Sequence, residues 1–139
     1  MHITKSDKQL KANYTSRITK GKNNFPSFDD FKYWYDNTEK ICFHCGLTEE
    51  ESQEIVLKGI LTSNRFPQNG IVGRGQARGM WLEVDQLDPK GNYSKDNCVL
   101  SCYFCNNDKS DVFYGKEYKK FFQNRVSYLR DLLTENRSK

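Results

Sequence analysis

Two Cys-x-x-Cys pairs, Cys42-Phe43-His44-Cys45 and Cys102-Tyr103-Phe104-Cys105, stand far apart in a chain of 139 residues. Each pair puts two sulfurs on one side of a tight turn, and two such knuckles complete a tetrahedral S₄ shell of the kind zinc takes. Four thiolates leave no open position, so the Zn²⁺ expected here is structural. The cysteine count is five, an odd number, and the N-terminus MHITKSDKQLKANY lacks an apolar leader; both argue against a disulfide framework. The competing reading, two chance pairs or one redox pair plus a spare, is the weaker. Cys98, the fifth, reads as a small buried residue just before the second knuckle. His44, inside the first knuckle, reads as solvent-facing or backbone-bonded. Residues 46–101 separate the knuckles, far more than a compact zinc finger spans. Zinc therefore clamps two distant parts of the chain, and the segment between them carries function.

Hydrophobic residues are only 36% of the chain, so its core is small and an added stabiliser is expected. No apolar run approaches the ~18–20 residues that cross a bilayer, so neither a membrane chain nor a secreted one is expected. Aromatic residues at 14% are too plentiful for a disordered chain. One domain, 1–139, follows from the length, and its expected location is the cytoplasm of a bacterial or phage-infected cell. The net charge of +4 says little, but its distribution says more. Lys5, Lys8, Lys11, Arg17, Lys20 and Lys22 face a single acidic residue, Asp7, in the N-terminal stretch. Residues 1–25 read as a basic arm suited to a polyanion, or equally as a solvated, partly disordered tail.

Helical signals come next. Ser27-Phe28-Asp29-Asp30 marks a helix start, followed by Phe28, Phe31, Trp34 and Tyr35 at helical spacing. That stripe reads as core rather than as a base-stacking platform. Thr48-Glu49-Glu50-Glu51 is a second capping box, opening a helix that turns Ile55 and Val56 inward. Residues 63–79 read as a loop in which Gly70, Gly73, Gly75 and Gly79 alternate with Arg74 and Arg78. Such a loop can follow a phosphate backbone, or be an ordinary flexible hairpin; it does not match a nucleotide-binding P-loop. Strands are expected over 80–86 and 97–101, joined by the turn at Asp88-Pro89-Lys90-Gly91-Asn92. A helix is expected over 106–113, and one amphipathic helix over 114–139 carries Tyr118, Phe121, Phe122, Val126, Leu129, Leu132 and Leu133.

Strand, strand, helix with a knuckle at the last junction is a compact α+β unit. Asp85 closes the first strand and Asn106 directly follows the last cysteine. A hairpin packed on the helix can bring them together as an oxygen-only site with room for waters and a phosphate oxygen, as Mg²⁺ requires. Metal-assisted phosphodiester cleavage is one chemistry open to such a site.

The segment LEVDQLDPKGNYSKDNCVLSCYFCNNDKSDVF resembles the ββα-metal motif of the HNH nucleases, and within them the PacI-type restriction endonucleases. The resemblance rests on Val84-Asp85, Tyr93-Ser94, Asn97, Cys102/Cys105/Asn106 and Lys109-Ser110, and extends to Cys42, Cys45 and the aromatic helix before them. It is weak over 1–25 and 114–139. It implies a small ββα-metal core over 80–113, stapled by a four-cysteine zinc site and surrounded by helices. By the same resemblance, Asp85 and Asn106 hold a catalytic Mg²⁺ or Mn²⁺. Asn97 supports the active-site loop, and Cys42, Cys45, Cys102 and Cys105 hold zinc. The substrate class it implies is DNA, double-stranded, cut by a homodimer with one active site per strand.

One departure matters. Where most HNH enzymes carry a general-base His, and PacI-type enzymes an Arg, this chain has Gln86. Glutamine takes no proton at neutral pH, though it can orient a water or bond a phosphate. Tyr93 matches the tyrosine of the PacI-type pattern that is read as nucleophile or activating group, and a phenol near pKa ~10 needs a cation beside it. Three accounts of Gln86 stay open: activity through Tyr93, a binding protein that has lost cleavage, or an inactivating substitution. The side chains expected to touch DNA are Arg74 and Arg78 of the loop, Lys20 and Lys22 of the arm, Lys90 and Lys95 of the turn, and Lys109. A zinc-stabilised DNA-binding module without catalysis and a zinc-ribbon interaction protein are the rival readings. Target sequence, DNA against RNA, restriction against homing or phage use, and oligomeric state stay open.

Overall fold

The computed structural model describes residues 2–18, 24–122 and 124–139. Lys20 and Lys22 lie outside them.

Helix α1, Asp7–Asn13, opens on a reciprocal capping box between Ser6 and Gln9 and runs into a π-turn at Tyr14–Ile18. Helix α2, Phe28–Asp36, is capped by Ser27 and buries Phe31 and Tyr35, so the aromatic stripe is core. Helix α3, Glu49–Leu57, opens on the expected Thr48–Glu51 box and buries Ile55 and Val56. Residues 63–79 form a loop, creased by the bridges Gln68↔Ile71 and Gly73↔Gln76 and closed by Arg78 N–H donating to the Arg65 carbonyl at 3.0 Å.

Strands β1, Glu83–Gln86, and β2, Cys98–Ser101, pair antiparallel with Asp85 opposite Val99. Both are shorter than their sequence spans because the flanking residues turn into the loop and the knuckle. Helix α4 covers Tyr103–Lys109 rather than 106–113. It begins earlier because the Cys102 sulfur caps it, accepting from the Cys105 amide at 3.4 Å. It ends where Ser110 takes φ +53, a left-handed conformation that stops a helix. A Cβ at Gly91 would lie 2.6 Å from Asn97 Nδ2, so a larger residue there has to displace the amide that braces the β1–β2 turn.

Two further expectations are corrected. Residues 114–139 form not one helix but α5, Gly115–Phe122, and α6, Arg125–Arg137. The break lets α5 lay Tyr118 against His44 while α6 packs on α3 with Leu129 and Leu133 buried. The N-terminal stretch, as far as it is described, is not a detached arm. His2 meets the buried Glu49 at 2.6 Å, the Ile3 amide donates to Gln53 at 2.9 Å, and the Ile3 carbonyl accepts from Trp81 Nε1 at 3.0 Å. Among the described residues no helix is long and apolar enough to cross a membrane.

Candidate active site

The four knuckle sulfurs come together. Cys42, Cys45, Cys102 and Cys105 are buried, none is in a disulfide, and their sulfurs all lie within 4.8 Å of one another. Tetrahedral bonds of ~2.3 Å to zinc set neighbouring sulfurs about 3.8 Å apart, and Cys45 Sγ lies 3.9 Å from Cys102 Sγ. The donor set and spacing therefore fit a metal such as zinc. Hydrogen bonding from Cys102, then from Cys105, holds the Cys42 and Cys45 thiols below the usual thiol range. Cys102 is pushed up, first by Cys105 and then by Cys42 and Cys45. Sulfurs so close must share protons or a cation. The first knuckle is shaped by Gly46 N–H donating to the Cys42 carbonyl at 2.9 Å, and Phe43 N–H donates to the Leu100 carbonyl on β2 at 2.9 Å. The knuckle is thereby fastened to the sheet.

Alternation along β1 puts Glu83 and Asp85 on one face. Helix α4 packs there, and its Asn106 and Lys109, one turn apart, meet that pair. Asn106 Nδ2 donates to Glu83 Oε1 at 2.7 Å. Lys109 Nζ lies 3.0 Å from Asp85 Oδ1, and His44 Nε2 lies 2.8 Å from Asp85 Oδ2. Asp85 is 5% exposed, and His44 and Lys109 1% each. The two expected metal ligands thus stand on facing elements, but each is bonded to another partner. A carboxylate offers about four lone-pair positions, so Asp85 keeps capacity beyond these two contacts. Asn106 keeps its carbonyl oxygen, so each side chain retains an oxygen of the kind a hard cation takes. Among the described residues, the four cysteines are the one group of three or more His, Cys, Asp or Glu donors close enough to share an ion.

Two side chains stand where the sequence reading did not put them. Lys109 is not a surface contact for DNA: its ammonium is buried, and the Asp85 carboxylate that neutralises it is why it can be. His44 is neither solvent-facing nor backbone-bonded: the knuckle turns its ring inward, edge-on to Tyr118 at 4.9 Å, and onto Asp85. No local sequence signal marks that direction for His44, since the Phe43–Leu100 backbone bond sets it. Cys98 is buried as expected, and burial, with the Asp85 charge added, pushes its thiol up to about 12.

The other named residues divide between turn and groove. Asn97 braces the β1–β2 turn, donating Nδ2 to the Asp88 and Asn92 carbonyls at 3.1 and 2.8 Å and accepting from the Asp88 amide at 2.9 Å. Gln86 Nε2 donates across the same turn to the Gly91 carbonyl at 3.1 Å. Lys90 and Lys95 are exposed on it. A groove of about 860 Å³ runs beside β1, with Lys5, Arg65, Arg74, Arg78, Trp81 and Tyr93 in its walls. Arg74 is exposed there. Arg78 is partly engaged, gripping Glu83 at 2.9 and 3.1 Å and stacking over Tyr103 at 4.7 Å. Tyr93 is half-buried, its amide held by Asn24 at 2.9 Å and its carbonyl by the Phe25 amide at 2.8 Å.

A solved structure of the rare-cutting HNH restriction endonuclease PacI superposes on this chain with a TM-score of 0.57. The fold is HNH-like. The superposition covers 87% of this chain and 73% of that one at 22% sequence identity, so the likeness is one of fold. No protein-family model matches the sequence, and no curated protein matches it either.

Proposed function

We propose that the protein is a metal-dependent DNA endonuclease that hydrolyses phosphodiester bonds, with Zn²⁺ on the four cysteines and a second divalent ion, Mg²⁺ or Mn²⁺, at Asp85 and Asn106. The observation that carries the reading is the HNH-like fold with Asp85 and Asn106 on the facing surfaces of β1 and α4. Bound there, the ion would supply charge neutralisation at the phosphate and an acidified water.

The chain's own residues do the rest. Arg74 and Lys5 on the groove walls, with Lys90 and Lys95 on the turn, take DNA phosphates and set the register of the duplex. Asn97 keeps the turn in shape, and Gln86, the residue after Asp85 at the end of β1, offers an amide that can orient a water or a phosphate oxygen. Gln86 carries no proton away at neutral pH. Tyr93 is the group in the groove with a hydroxyl to offer the phosphate. Two copies of the chain, one per strand, would act on a twofold-symmetric site.

Incubating supercoiled plasmid with zinc-loaded protein and Mg²⁺ or Mn²⁺ tests the proposal. Nicked and linear products are expected, falling at least ~100-fold in rate with Asn106→Ala, on the scale of losing one positioned charge-stabilising contact. Intact plasmid with this chain and with both Gln86→Arg and Gln86→His would end it. The second reading, a zinc-stabilised DNA-binding protein without cleavage, is favoured by one observation, Gln86 at the usual base position. Salt-dependent retention of uncut duplex is its signature.

A further inference from the structure

We infer that the first zinc knuckle belongs to the active site as well as to the scaffold, because it delivers His44 as a positioning residue for Asp85. The inference rests on the reading above that Asp85 is a cation ligand.

Three observations carry it. First, His44 has little freedom. Its neighbours are held by the Phe43–Leu100 and Gly46–Cys42 backbone bonds, both 2.9 Å, and by two sulfurs of the four-cysteine cluster. Its ring is wedged against Phe43 at 5.4 Å and Tyr118 at 4.9 Å. Second, the ring is used on one side only. Nε2 reaches Asp85 Oδ2 at 2.8 Å, while Nδ1 is buried with no hydrogen-bond partner among the described residues. Buried polar atoms are normally satisfied, and leaving one unsatisfied costs stability. A histidine kept only for packing would be better replaced by an apolar side chain, so the bond to Asp85 is what the ring is for. Third, the two oxygens of Asp85 are held by different elements, Oδ2 by the knuckle and Oδ1 by Lys109 of α4 at 3.0 Å. Together they fix the carboxylate in one orientation. A ligand already turned to its bound orientation loses less entropy when the cation arrives, and removing such an outer partner typically weakens metal affinity ~10–100-fold.

The zinc site thereby acquires a second task. Its sulfurs hold the turn that holds the ring that holds the carboxylate.

Mn²⁺ binding to the zinc-loaded protein, measured by calorimetry, tests this without relying on activity. His44→Leu keeps an apolar body in the cavity and removes the donor. His44→Gln keeps an N–H that reaches the Nε2 position, and His44→Asn keeps one too short to reach. The expected result is Mn²⁺ affinity ~10–100-fold weaker in His44→Leu and His44→Asn, restored to near wild type in His44→Gln, with zinc content unchanged in all. If zinc-loaded His44→Leu binds Mn²⁺ as the wild type does, the inference is overturned. Should His44→Leu fail to fold, equal affinities for His44→Asn and His44→Gln overturn it in the same way. Asn106→Ala separates the two levels of the argument. If it leaves Mn²⁺ binding untouched, the cation is elsewhere and the reading of Asp85 fails, taking the inference with it. If it abolishes binding while the His44 variants do not change it, the inference alone fails.

Discussion

The knuckle–sheet junction and the C-terminal helix are both fastened by charged side chains, and they use them in opposite ways. At the junction, Asp85, Lys109 and His44 are buried and bonded mainly to one another. At the other end, Arg130 grips Glu51 at 2.9 and 3.0 Å and Arg137 grips Glu54 at 2.9 and 2.7 Å across the surface between α6 and α3. Water can replace either surface pair when it breaks. The buried set has little access to water, so losing one member there leaves the others without a partner. The contrast teaches where one arrangement is specified and where several would do. The interior cluster ties the knuckle, β1 and α4 into one arrangement, and the outer pairs only add to the burial of Leu129 and Leu133.

The sharpest way to break the contrast is to strip the zinc proposed on the four cysteines. Chelating zinc should abolish cooperative unfolding at the junction, since structural zinc sites are worth about 10–16 kcal/mol at neutral pH. Calorimetry with and without chelator checks this, and an unchanged melting transition would speak against zinc as the staple. Next in size, Lys109→Met removes the buried cation from Asp85 and should cost about 3–5 kcal/mol in chemical denaturation. Smaller is the effect of acid on the outer pairs. The Arg137 guanidinium holds the Glu54 carboxyl down to about 2, against ~4.3 in an unfolded chain. The native state then binds fewer protons between those values. The contribution of this pair is complete above about pH 5 and is lost as pH falls toward 2. Arg137→Ala should flatten that part of a melting-temperature against pH profile. Smallest of all, Arg130→Ala should cost about 0.2–1 kcal/mol at neutral pH and leave plasmid cleavage intact. A loss as large as that of Lys109→Met would erase the distinction between the two regions.

Much of the junction was legible because its chemistry repeats at fixed spacing. Two Cys-x-x-Cys pairs imply one S₄ shell whatever lies between them, and Thr48 with Glu51 implies a helix start from side-chain length alone. The packing of the helix after the second knuckle on the strand that holds Asp85 followed from a strand, a turn and a helix in sequence order. What was not legible depends on three dimensions. Nothing local tells that His44 points inward, because that is decided by the backbone bond from Phe43 to Leu100, far along the chain. Lys109 read as a free cation because a lysine after a knuckle is usually solvated; only the approach of α4 to β1 gives it a buried partner. The break between α5 and α6 was hidden because the apolar period continues across it while the two halves serve different neighbours. Exposed pairs such as Arg137–Glu54 were unreadable for the opposite reason, since many alternatives on a surface cost almost the same.

A crystal of the zinc-loaded protein with duplex DNA and Ca²⁺ tests the central claim most directly. The account predicts Ca²⁺ at about 2.3–2.6 Å, the usual calcium–oxygen distance, from oxygens of Asp85, Asn106 and one DNA phosphate, with the duplex along the groove that Arg74 lines. Duplex bound on another face, with Asp85 still closed between Lys109 and His44 and no ion beside it, would contradict the account.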